Sequence, residues 1–175
     1  MSSKPYSEGN KQAATPRVKL VIQQCLSAEL ALPTGSTAAI SRGIVVFVCF
    51  LRGASRDDAV RAAETACAVR LSETEGEGEK RVSVADLAGG QVLVVPQATL
   101  GGKLKGSRTS PVTQYHGNVA KDEGEALYVA FYDKICEVLG EPDPGTTSRV
   151  KRGIYGARQV LSSTTNGPYT HVFEI

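Results

Sequence analysis

Only two histidines occur in the 175 residues, His116 and His171, and neither has a cysteine or carboxylate at metal-ligand spacing. That argues against a zinc enzyme, whose ligands come in compact His/Cys sets. No G-x-S-x-G elbow is present. A Ser-His-Asp triad would have to recruit one of the two histidines, and His171 falls within a strand-like run, so that chemistry is rejected. The four cysteines, Cys25, Cys49, Cys67 and Cys136, form no C-x-x-C pair and sit in apolar or helical patterns. Buried, reduced thiols of an intracellular protein are expected. No apolar run approaches the roughly 20 residues of a membrane helix. The best run, GIVVFVCFL, has strand length, and MSSKPYSEGNKQAATPR at the start holds no apolar core of the signal-peptide kind. A cytoplasmic location without membrane contact is the expectation. The net charge of +2 is too small to imply a polyanionic partner, so any nucleic-acid argument must come from local clusters.

What remains is the composition of an ordinary globular domain, 41% hydrophobic and 22% charged. Residues 1–16, polar and carrying Pro5 and Pro16, read as a flexible tail, and 17–175 as a single domain. RVKLVIQQC alternates Val18, Leu20 and Ile22 against Lys19 and Gln23, the pattern of a strand. AELAL is expected as its hairpin partner, followed by a turn in PTGST. RGIVVFVCFL, almost wholly apolar, suits a central strand covered on both faces. Ser55 with Asp58 three residues later marks a helix start. Val60, Ala63, Cys67 and Leu71 then recur at helical spacing, giving a helix of about 15 residues. QVLVVPQATL begins as another buried strand whose pairing Pro96 ends.

ETEGEGEK reads as a charged connection, and residues 101–118, GGKLKGSRTSPVTQYHGN, as a long basic loop of the kind that is functional or disordered. A second helix is expected over 119–139, with Leu127, Ala130, Phe131, Ile135 and Val138 on one stripe and Gly140 as its C-cap. EPDPGTTS then leads to closing strands in RVKRGIYG, RQVLSS and YTHVFEI, the last two expected as a hairpin about Gly167-Pro168. The order predicts an α/β (α+β) fold, a mixed sheet with two main helices.

Two segments share an unusual composition, PQATLGG at 96–102 and TTNGPYTH at 164–171. Each sets an amide and hydroxyls beside Gly and Pro directly after an apolar strand, where scaffolds place reactive groups. Gly101 and Gly102 allow close backbone approach to a ligand, with N–H groups suited to an oxyanion. Paired turns with local hydrogen bonds are the bland alternative. Lys103, Lys105 and Arg108 form one basic cluster, and Arg149, Lys151, Arg152 and Arg158 another. Either is a candidate phosphate contact or a solvated basic face.

Over nearly its whole length after the tail, the chain resembles the D-aminoacyl-tRNA deacylase superfamily. The resemblance runs through VIQQC, SRGIVVFVCF, VSVADLAGGQVLVVPQATL, EALYVAFYDKI and VKRGIYGARQVLSSTTNGPYT. The family's Ser-Gln-x-Thr signature reads Pro96-Gln97-Ala98-Thr99 here, and Asn-x-Gly-Pro-x-Thr reads Thr165-Asn166-Gly167-Pro168-Tyr169-Thr170. The two departures are similar to the variant branch called animal-type tRNA deacylase, which removes L-alanine misattached to threonine tRNA. The main branch instead hydrolyses D-aminoacyl-tRNA and rejects L-aminoacyl groups.

The resemblance implies a barrel-like mixed sheet, a homodimer and no metal or organic cofactor. It implies a catalytic segment of Gln97, Ala98 and Thr99, with backbone N–H groups near Ala98 and Thr99 holding the ester carbonyl and Thr99 positioning. It places Pro96, Thr165, Asn166, Gly167, Pro168, Tyr169 and Thr170 in substrate binding across the dimer, with Gly-Pro carbonyls as chiral filter, cis in the main branch and trans in the variant. Lys103, Lys105 and Arg108 would face the tRNA acceptor stem. A non-catalytic tRNA-binding module, or a structural domain on the same fold, are the competing readings.

Overall fold

The computed structural model describes residues 15–74, 80–140, 148–167 and 169–175. Most of the expected tail, the centre of ETEGEGEK, nearly all of EPDPGTTS, and Pro168 lie outside the described residues.

The strands and helices follow in the order β1 (Val18–Cys25), β2 (Ser27–Ala31), β3 (Thr37–Ile40), β4 (Gly43–Phe50), α1 (Arg56–Ala68), β5 (Ser72–Glu73), β6 (Arg81–Val82), β7 (Gln91–Pro96), a 3-10 turn (Ala98–Gly101), β8 (Lys103–Ser107), β9 (Ser110–Gln114), α2 (Lys121–Leu139), β10 (Val150–Arg152), β11 (Val160–Thr164) and β12 (Thr170–Glu174). The principal sheet has the order β10-β7-β4-β1-β12. β4, β7 and β10 are parallel to one another, whereas β1 is antiparallel to both β4 and β12. β4 is the central strand that its apolar run predicts, buried along almost its whole length.

One face of this sheet, with Leu20, Ile22, Val46, Val48, Val92 and Val94, is covered by the two helices. The opposite face, with Val45, Leu93 and Val95, meets Ala28, Leu30, Ala38 and Ile40 of a second sheet ordered β11-β2-β3. β1 runs into β2 and β3 into β4 with only one or two residues between. Both sheets thus share continuous chain at a corner, the barrel-like part of the expected fold.

Ser55 caps α1 as expected, its Oγ accepting from the Asp58 N–H at 3.2 Å while Asp58 Oδ2 accepts from the Ser55 N–H at 2.9 Å. The Ser55 N–H, and after it the Ser55 hydroxyl donating to Oδ2 at 2.8 Å, hold the Asp58 carboxyl below its ordinary value. The buried stripe of α1 is mostly alanine, Ala59, Ala62, Ala63 and Ala66, with Cys67, so α1 lies close against α2 and the sheet. Phe131 of α2 is fully buried and meets Phe50 edge-on at 6.3 Å. Gly140 ends α2 with φ +72° and donates to the Cys136 carbonyl, the C-cap that the sequence marks.

Three expectations are corrected. AELAL does not pair with β1; β2 pairs with β3 and β11, because the chain turns the corner at Leu26 and enters the second sheet. Residues 101–118 are not a loop throughout but carry the exposed hairpin β8–β9, with Lys103 opposite Gln114 and Lys105 opposite Val112. Gly106, at φ +97°, brings this hairpin together where a Cβ would meet the Ser110 carbonyl at 2.5 Å. Finally, β11 and β12 do not form the closing hairpin; they end in different sheets.

Candidate active site

The parallel arrangement of β4, β7 and β10 brings their carboxyl ends together, the place where open α/β sheets build ligand sites. β7 is apolar as far as Val95 and stops at Pro96. Gln97 then donates its backbone N–H to the Val48 carbonyl at 2.9 Å, which seats the following 3-10 turn over the end of β4. A cleft of about 510 Å³ opens there, lined by Cys49, Gln97, Ala98, Thr99, Lys121 and Arg158 among others. The three residues expected in the catalytic segment therefore share one cavity. Gln97 Nε2 donates to Thr99 Oγ1, so the amide holds the hydroxyl in place.

Asn118, Tyr155 and Lys121 line the cleft with no local signal in the sequence. Asn118 donates from Nδ2 to the Ala98 carbonyl at 2.8 Å. Tyr155 leans on Tyr128 at 5.6 Å and sits over Gly124 of α2, where a Cβ would lie 2.0 Å from its hydroxyl. Burial, and then the neighbouring Cys49 and Glu125, push the Tyr155 hydroxyl above its ordinary value. Lys121 sits on α2, and Arg158, a candidate phosphate contact of the second basic cluster, follows β10. Only spatial proximity unites them; a periodicity argument sees Lys121 as a helix start and Tyr155 as a strand residue.

Cys49 also borders the cleft, with Sγ 3.6 Å from the Ala98 carbonyl. Burial pushes its thiol up, more than the Gly101 N–H and Lys19 draw it down. It is a packed thiol, not an activated thiolate. Among the described residues lining the cleft there is no histidine or carboxylate, and the two cations, Lys121 and Arg158, favour a phosphate-bearing ligand.

The expected role of the glycines is corrected. Gly101 leaves room for Asn118, whose Oδ1 would lie 1.8 Å from a Cβ, and Gly102 leaves room for Thr113 and Tyr115 of the hairpin arm. The Gly102 N–H is already taken by the Thr99 carbonyl at 3.0 Å. The second basic cluster also resolves into separate jobs. Arg149 spends its guanidinium on the carbonyls of Gly90, Leu139 and Val84, and Arg152 stacks on the Tyr132 ring at 4.4 Å. Only Arg158 of that cluster lines the cleft. Lys103, Lys105 and Arg108 are exposed on the hairpin that leaves the 3-10 turn, and no acid lies between residues 101 and 118.

The two motifs are not brought together within one chain. β12 runs in the same direction as β4 and β7, so the loop before it lies at the opposite end of the sheet from Thr99. Register places Thr170 beside Gln23, level with Leu93, three residues back from Pro96, and Gly167 lies further back still. Three inter-strand steps plus about six residues of strand put Gly167 about 25 Å from Pro96. Thr165, Asn166, Tyr169 and Thr170 are exposed there. Thr170 donates to Gln23 Oε1, and Tyr169 borders a separate cavity of about 30 Å³ with Gln24, Arg70 and His171. The peptide isomer expected at Gly167-Pro168 lies outside the described residues.

Residues 21–174 match the model of the D-Tyr-tRNA(Tyr) deacylase family. The chain is 43% identical over 166 residues to D-aminoacyl-tRNA deacylase 2 of Danio rerio, covering 90% of this chain and 99% of that one. It is 41% identical over 167 residues to the protein of the same name from Homo sapiens, covering 91% and 95%. A solved structure described as a probable eukaryotic D-amino acid tRNA deacylase superposes with a TM-score of 0.78 at 26% identity, covering 90% of this chain and 99% of that one. The match to the vertebrate relatives supports the resemblance to the animal-type branch. With the motif strand β7 and the cleft at its carboxyl end inside the matched span, the chain belongs to the D-Tyr-tRNA(Tyr) deacylase family.

Proposed function

We propose that this chain hydrolyses the ester between an amino acid and the terminal adenosine of tRNA, acting on D-aminoacyl-tRNA or on a mischarged aminoacyl-tRNA. One observation carries the reading: Gln97, Ala98 and Thr99 share a cationic cleft that presents backbone and hydroxyl groups but, among its described lining residues, no histidine or carboxylate. An aminoacyl ester is already activated, so orienting a water and stabilising the tetrahedral oxyanion suffice. The N–H groups of Ala98 and Thr99 bind the ester carbonyl oxygen, and the Thr99 hydroxyl, steadied by Gln97, orients the ester. Water adds to the carbonyl carbon. The intermediate then collapses, the C–O bond to the ribose breaks, and the ribose hydroxyl leaves with the proton, assisted by the adjacent 2′-hydroxyl. Lys121 and Arg158 hold the terminal phosphates, while Lys103, Lys105 and Arg108 on the hairpin meet the acceptor stem.

Among the described residues of the substrate-binding set, Pro96 alone borders this cleft. The reading extends to a homodimer in which the Thr165–Thr170 loop of one subunit completes the partner's cleft. The exposure of Thr165, Asn166, Tyr169 and Thr170 at the far end of the sheet supports this, because in a single chain those residues have no ester to touch. Small L-alanine is the substrate that the altered motifs favour.

The test is deacylation of D-Tyr-tRNA and of L-alanyl-tRNA for threonine side by side at low enzyme, with a Thr99→Ala control. Loss of either ester that is slowed in the control supports the reading, and cleavage of the L-alanyl ester assigns the narrower selectivity. Binding of both charged tRNAs without turnover of either overturns it.

A further inference from the structure

We propose that Asn118 is a positioning residue for the hydrolytic step, aiming the Thr99 N–H by clamping the Ala98 carbonyl. The inference rests on the oxyanion role proposed above for the Ala98–Thr99 peptide. Two donors converge on one oxygen: Asn118 Nδ2 at 2.8 Å and the Cys49 thiol at 3.6 Å. In a trans peptide the carbonyl and the following N–H point in opposite directions, and no described peptide bond is cis. Holding the Ala98 carbonyl against Asn118 and Cys49 therefore turns the Thr99 N–H to the other side of the peptide plane. A swing of this peptide about its flanking torsions would remove the donor without moving a single side chain of the cleft.

Asn118 is itself held firmly. Its N–H donates to the Tyr115 carbonyl at 3.0 Å, and it forms an isolated bridge with Leu51 at the end of β4. On one side Gly117 accepts from the Arg52 N–H at 2.7 Å, and on the other Val119 donates to the Phe50 carbonyl at 3.3 Å. The arrangement has a cost, because Asn118 Oδ1 is buried without a hydrogen-bond partner. Rotating the amide to relieve it would set Oδ1 against the Ala98 carbonyl, two acceptors face to face. The side chain thus has one described bond to make, and Gly101 gives it the space, since any Cβ there would collide with Oδ1 at 1.8 Å. A residue kept only to fill that volume would not leave its acceptor unsatisfied beside the reacting peptide.

Asn118→Asp separates positioning from filling, because aspartate keeps the shape and loses the donor. Steady-state and single-turnover hydrolysis would be measured on whichever charged tRNA the wild type cleaves. Affinity for a non-hydrolysable, amide-linked aminoacyl-adenosine would be measured alongside, with thermal melting as the folding control. Asn118→Asp and Asn118→Ala are expected to lower kcat by about tenfold or more while KM and analogue affinity stay within about threefold, the pattern of a lost transition-state interaction. Gly101→Ala, which displaces the amide without deleting it, should reproduce the kcat defect and serves where an Asn118 variant fails to fold. A folded Asn118→Asp enzyme with wild-type kcat overturns the inference, as does a rise in KM at unchanged kcat. Failure of the wild type on every ester would instead overturn the functional reading beneath it.

Discussion

If the cleft around Thr99 is completed by the loop of a second subunit, two inactive proteins can restore each other. The first carries Gln97→Ala with Thr99→Ala. The second carries Gly167→Val, chosen because even a Cβ at Gly167 would lie 2.8 Å from the Tyr169 ring, so the larger side chain forces the loop to move. In a heterodimer bearing one copy of each, one cleft joins an intact 97–99 segment to an intact loop, and the other cleft combines both lesions. Each homodimer should lose at least about tenfold in kcat/KM, and the purified heterodimer should recover about half of wild-type activity, one working site in a two-fold pair. The separation of about 25 Å between the motifs makes the test sharp, since β-strand spacing leaves no route for them to meet in one chain. The proteins would be co-expressed with different affinity tags, purified through both, and assayed on charged tRNA. A heterodimer no more active than the mean of its two parents refutes the cross-subunit site. So does a wild-type protein that is fully active as a monomer by light scattering at assay concentration.

Gly43→Ala forces a Cβ to within 1.8 Å of the Gln91 carbonyl at the start of the β4–β7 pair. Overpacking of this kind should cost about 3 kcal/mol and lower Tm by about 6–12 °C in a calorimetric melt; an unchanged Tm would contradict the register. Burial pushes the Cys25 thiol from 9.0 to about 11, with a Gly43 hydrogen bond drawing it partly back. The unfolded chain therefore ionises first, and stability that is complete below pH 9 is lost as pH rises to about 11. Urea titrations of wild type and Cys25→Ala should diverge in that window by up to about 1.4 kcal/mol per pH unit, and parallel curves would rule out the buried thiol as the source. Replacing Lys103, Lys105 and Arg108 with glutamine should weaken tRNA binding alike for all acceptor sequences and flatten the salt dependence by up to about three ion equivalents. An unaltered salt slope would remove the hairpin from the interface.

Much of this fold is legible in the chain because its signals are local. The alternation of Val18, Leu20 and Ile22, the unbroken apolar run of β4, the Ser55–Asp58 box and Gly140 each act within a few residues, so the sequence marks β1, β4, α1 and the end of α2 directly. Hydrophobic period says which face of a segment is buried, but not what buries it. AELAL, RQVLSS and YTHVFEI read equally well as hairpin arms, and only the turn of the chain at Leu26 sends β2 and β11 to one sheet and β12 to the other. The basic run from Lys103 to Arg108 looks like a loop because its strands bury nothing; Leu104 stays 77% exposed, and backbone pairing alone defines the hairpin.

The site divides in the same way. Gln97, Ala98, Thr99 and the Gly167-containing motif announce themselves by composition, an amide and hydroxyls beside glycine and proline at the ends of apolar runs. That the first motif lines a cleft with Lys121 and Arg158 depends on three parallel strands ending side by side, a relation among residues up to 102 positions apart, from Phe50 to Arg152. That the second motif faces away depends on the direction of β12, and no local pattern encodes a strand's direction in its sheet. Asn118 is the clearest case. On paper it is one polar residue in a polar stretch, and it becomes a clamp on Ala98 only because the end of β4 holds both segments at hydrogen-bonding distance.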